Sequence, residues 1–153
     1  MERSPRRKGG PWYQQLCERA TAAADPTYAP ARFTLADTAF YWEWNWTKAQ
    51  SLFTRALALD PHEPDVLASY AMFKCSTREF DGALRFADQA VSVDPLNPTI
   101  LLRAAIVQYL ARRHDLVSQT CERMKELAPE FAEGYRWKGL SLRALGRAHS
   151  EPI

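Results

Sequence analysis

Proline recurs along this chain with a nearly fixed period. Pro26, Pro61, Pro95 and Pro129 are separated by 35, 34 and 34 residues, and Asp25, Asp60 and Asp94 precede the first three. A second set, Pro30, Pro64 and Pro98, trails the first by three or four residues and repeats every 34. Proline lacks an N–H, and its ring drives the preceding residue out of the α region, so a helix stops at each member of the first set. Each member of the second set falls where a first helical turn leaves its N–H groups unpaired anyway, so a new helix starts there.

Between these marks, apolar and small residues recur at the helical spacings of three and four. From Pro64 to Pro95, Leu67, Tyr70 and Ala71 form one stripe, and Phe80, Ala83, Leu84, Ala87, Ala90 and Val91 form another. Ser76, Thr77 and Arg78 break the pattern between them. Each period therefore holds two helices and a tight turn. One such hairpin cannot bury its own apolar face, so neighbouring hairpins must stack into an all-α solenoid. Ala36, Ala49 and Ala56 in one unit, and Ala71, Ala83 and Ala90 in the next, are expected at helix crossings, where longer side chains would overpack.

The unit resembles the tetratricopeptide repeat. The family pattern of large, small, aromatic and closing proline residues is met by Leu35, Ala36, Ala49, Phe53, Ala56 and Pro61. It is met again by Leu67, Tyr70, Ala71, Ala83, Ala87, Ala90 and Pro95. A weaker copy holds Leu101, Ala104, Ala105, Val117, Cys121, Met124 and Pro129, and a fourth begins with Tyr135, Gly139 and, at its turn, Gly146. The resemblance covers residues 12–149 and implies a right-handed α-α superhelix of about eight antiparallel helices. Residues 1–11 read as a flexible basic tail, and residues 12–25 as the second helix of a partial repeat. Repeats follow over 29–62, 63–97 and 98–131, and 132–146 form the first helix of another. The run Phe40-Tyr41-Trp42-Glu43-Trp44-Asn45-Trp46 is also similar to repeat arrays beside winged-helix, cyclase or kinase domains of bacterial signalling proteins. That likeness implies, as an alternative, a regulatory or sensory role.

Composition narrows the function classes. The chain has 153 residues, 46% hydrophobic and 25% charged, with a net charge of +2, which suits one soluble domain without a field strong enough to select nucleic acid or membrane. Its one basic run is Arg3, Arg6, Arg7 and Lys8. No apolar run follows that start as a signal peptide would require, and no stretch reads as a membrane span. Cys17, Cys75 and Cys121 are odd in number and widely spaced, fitting a reducing cytoplasm and neither a disulfide framework nor a zinc site. His62, His114 and His149 have no second His or Cys at ligand spacing. His114 and Cys121 could share a helix face, but no third group orients them as a nucleophilic dyad. No phosphate loop or nucleophile elbow occurs, so neither an enzyme nor a cofactor is expected.

The expected function is to hold another polypeptide. In the tetratricopeptide family the first helix of each repeat lines an inner groove. Carried over, the resemblance places Phe33, Asp37, Phe40 and Tyr41 there from one repeat, and Asp65, Ala68, Met72 and Cys75 from the next. Thr99, Leu102, Ile106, Tyr109 and Leu110 follow, then Glu133, Arg136, Leu140 and Arg143. This surface is apolar at its middle with arginines toward one end, matching an apolar or amphipathic peptide segment. Self-occlusion by the chain or by a second copy is the alternative occupant. The family's carboxylate clamp for acidic tails is not matched, since its positions hold Phe33, Asp37, Ser69, Thr99 and Arg103, of which only Arg103 fits. Trp46 is expected in the core and Asn45 as a helix N-cap. Trp42 and Trp44 either cap the repeat edge or form an aromatic patch for a partner. Incomplete terminal repeats, with Trp12, Leu16, Trp137 and Leu140 at the two ends, raise the expectation of a homodimer.

Overall fold

The computed structural model describes the backbone over residues 29–146 and side chains from Leu35 onward. The basic tail, the helix expected over 12–25, Cys17, His149 and the Phe33 side chain lie outside the described residues. Within them the chain forms seven α-helices and no strand. They are α1 (Ala29–Tyr41), α2 (Trp46–Leu59), α3 (Pro64–Ser76), α4 (Phe80–Val93), α5 (Pro98–Leu110), α6 (His114–Leu127) and α7 (Ala132–Ala144). The chain divides into two compact units at Pro61/His62. The first contains the α1–α2 hairpin and the second contains α3–α7.

The second proline set acts as its chemistry requires. Pro64 and Pro98 are the first residues of α3 and α5, where the absent N–H has no helical partner to lose. Asn45 caps α2, its side chain accepting from the Lys48 N–H at 3.1 Å. Asn97 caps α5 in the same way through Thr99 and Ile100, and its amide donates to Asp94 at 2.9 Å.

The alanines sit where sterics demand them. Ala36, Ala49 and Ala56 are fully buried in the first unit, and Ala71, Ala83 and Ala90 in the second. In the second unit, Ala71, Cys75, Ala83, Ala87, Ala104 and Val107 form one core cluster. Leu101, Ala105, Val117, Cys121 and Met124 form the next, and Val91 packs against both. Stacking is therefore continuous from α3 to α7. Ser141 is fully buried and donates to the His114 carbonyl at 3.1 Å, fixing α7 on the start of α6.

Trp46 departs from expectation. It is 39% exposed, not buried, because it is the first residue of α2. Phe80, 34 residues on, likewise opens α4 and is 37% exposed. The buried aromatics of the first hairpin are Phe40 and Phe53.

Candidate functional site

In the second unit, α3, α5 and α7 pack on one another in succession, whereas the backbones of α4 and α6 stay apart. The first-type helices thus share one side of this unit. Met72, Leu102, Ile106 and Tyr109 are half-buried. Met72 leans on the first core cluster, and Leu102 and Tyr109 lean on the second. A half-buried apolar side chain is held in place by its base and presents its end, the condition a docking surface requires. Ala68 and Cys75 are buried and contribute packing rather than open surface.

The apolar strip continues onto α7 through Trp137, whose ring meets Tyr109 edge-on at 5.4 Å. Trp137 donates to Glu133 at 3.2 Å, and Arg136 both pairs with Glu133 at 3.1 Å and lies over the Trp137 ring. Arg136 and Arg143 are exposed. The sequence reading placed Trp137 at a chain end, although its spacing of 34 from Arg103 put it on a first-helix face.

Arg103, the one residue matching the family's clamp, is already engaged. Its guanidinium donates to the Ser69 hydroxyl at 3.0 Å and to the Asp65 carboxylate and carbonyl at 3.4 Å. It therefore ties α5 to α3 rather than standing open to an incoming carboxylate.

In the first unit, Asp37 is half-buried and Phe40 only 8% exposed, leaving little of either ring or carboxyl for a ligand. Phe40 packs against Tyr41 at 4.4 Å and Trp46 at 5.6 Å. Tyr41 and Trp42 are exposed, and Trp44 is 66% exposed in edge contact with Trp46 at 6.4 Å. The aromatic patch at this turn is thus open surface.

Cys75 and Cys121 are buried, and burial pushes both thiols up to about 11. At neutral pH both stay protonated, the opposite of an activated nucleophile. Among the described residues, no three His, Cys, Asp or Glu side chains converge as a metal site would need, and no helix is long and apolar enough to cross a membrane.

No protein-family model matches the chain, and no curated protein matches it. Its structure is nevertheless similar to solved ones. The tetratricopeptide-repeat protein YrrB, described as having an unusual peptide-binding site, superposes with a TM-score of 0.69 at 14% identity, over 90% of this chain and 72% of that one. The first tetratricopeptide domain of Spaghetti (RPAP3), bound to the HSP90 peptide SRMEEVD, gives 0.70 at 18% identity, over 80% and 99%. The crystal structure of MamA gives 0.71 at 15% identity, over 89% and 80%. At such identities the likeness is one of fold: this chain folds as tetratricopeptide repeats.

Proposed function

We propose that this tetratricopeptide fold is an interaction scaffold whose α3–α5–α7 face holds an apolar or amphipathic segment of a partner protein. The observation that carries the reading is the set of half-buried apolar residues Met72, Leu102, Ile106 and Tyr109 on successive first-type helices, extended by Trp137. The spaced apolar ends suit a helix or extended segment with matching anchors. The engagement of Arg103 by Asp65 and Ser69 sets this chain apart from an acidic-tail binder, although the RPAP3 domain of similar fold is bound to an acidic peptide.

Each apolar anchor contributes at most about 1.5–3 kcal/mol on burial, so a charge set into the strip removes about tenfold or more in affinity. The test is capture of partners from native extract by the wild-type chain, with mass spectrometry, followed by Ile106→Asp and Met72→Lys made separately. Both variants are checked for fold by melting temperature. Capture of the same partner at wild-type strength by both folded variants moves the binding surface elsewhere, with Trp42 and Trp44 the next candidates.

A further inference from the structure

A cleft of about 460 Å³ lies between α4 and α6, whose backbones stay apart. Its floor is α5, through Leu101 and Gln108, a stripe about 120° around that helix from Leu102, Ile106 and Tyr109. It is therefore separate from the α3–α5–α7 face.

Gln108 is the unusual member. Its side chain is only 6% exposed, deep among apolar neighbours. Its Oε1 accepts from the Thr120 hydroxyl at 2.9 Å. Its Nε2 donates to no atom of the described residues and borders the cleft. The amide N–H groups are thus left free to donate to a group that enters the cleft. On the walls stand Asp88 of α4 and Arg123 of α6, both exposed, which make no ion pair with each other or with any other described residue. Between them, the half-buried Val91 and Leu116 supply apolar surface over the buried Leu101.

We propose that this cleft is a second peptide site, taking an extended segment in which a basic and an acidic residue flank an apolar one. An extended backbone offers free carbonyl oxygens that the Gln108 amide can reach, whereas a helix has already used its own. The apolar side chain rests on Val91 and Leu116. The basic residue meets Asp88 and the acidic one meets Arg123, so the opposed charges admit a segment of mixed sign and disfavour one of a single sign.

The test uses the full chain, ¹⁵N-labelled, titrated with a capped pentapeptide of sequence Lys-Ala-Leu-Ala-Glu. The control is its neutral counterpart, Ala-Ala-Leu-Ala-Ala. The side-chain amide resonances of Gln108 and Gln119 should move saturably with the charged peptide and not with the neutral one, while the Met72 and Ile106 methyl resonances stay in place. Asp88→Lys and Arg123→Glu, both on exposed walls, should each weaken this response about fivefold. Gln108→Leu should remove it, with melting temperature checked because the site is buried. Silence of the Gln108 amide up to millimolar peptide overturns the proposal. So does an equal response to the neutral peptide, or perturbation confined to Met72 and Ile106.

Discussion

Four residues spaced 34 apart, Trp44, Arg78, Arg112 and Gly146, have φ of 53°, 63°, 62° and 70°. Each ends the first helix of a hairpin by a left-handed step, a conformation that glycine adopts freely and that crowds any Cβ. The residues that follow show how the step is held. The Glu79 N–H returns to the Lys74 carbonyl at 2.9 Å and the Arg113 N–H to the Gln108 carbonyl at 2.8 Å, closing both turns around the strained residue. Of the four, only Gly146 is the residue type that this conformation favours, while the turn at Arg78 was marked by the break at Ser76, Thr77 and Arg78. Arg78→Gly and Arg112→Gly should each stabilise the chain by about 1 kcal/mol, the approximate relief of a left-handed L-residue. Neither arginine makes an ion pair among the described residues that would offset the gain. A melting temperature raised by a few degrees in each variant is the expected result; a fall shows that the arginine side chain contributes more than the strain costs.

The helices themselves were largely legible, because each carries its own stop and start chemistry. Proline and asparagine fixed the beginnings of α2, α3 and α5, and small residues marked the crossings. Trp46 was misjudged because period alone cannot tell the first residue of a helix from one a turn further in, and only the latter faces the core. Ala83 shows how tightly a crossing is set. It is fully buried in α4 within one cluster of α3, α4 and α5 residues, among them Ala71, Ala87 and Ala104. A leucine there has no void to enter and must push α4 outward. Ala83→Leu should therefore lower stability by about 1–3 kcal/mol. Chemical denaturation reads this directly, and an unchanged midpoint removes Ala83 from the crossing.

At the scale of the molecule, the succession of α3, α5 and α7 along one side of the second unit was legible through the repeat, since residues at equal phase in successive first helices must share a side. The cleft between α4 and α6 was not, because it depends on the backbones of two second-type helices staying apart, and sequence spacing carries no such distance. Charge follows the same division between local and global. A net charge of +2 gives little long-range steering, so any electrostatic guidance must come from particular side chains. Arg136 is held by Glu133 at 3.1 Å, whereas Arg143, two turns along the same helix face, makes no ion pair among the described residues. On the proposed α3–α5–α7 face, Arg143 is thus the α7 arginine open to an acidic residue of a ligand. Its contribution is screened by salt, while that of Ile106 is apolar and is not. For a partner bound on this face, Arg143→Ala should cost about threefold in affinity at low salt, mainly through slower association, and should flatten the salt dependence. Ile106→Asp should instead speed dissociation about tenfold at every salt concentration. Surface plasmon resonance from about 50 to 500 mM sodium chloride, roughly a threefold change in screening length, separates the two. A salt slope that Arg143→Ala leaves intact would assign the charge contact to another residue, and a salt-dependent effect of Ile106→Asp would mean that the middle of the strip is not the apolar anchor.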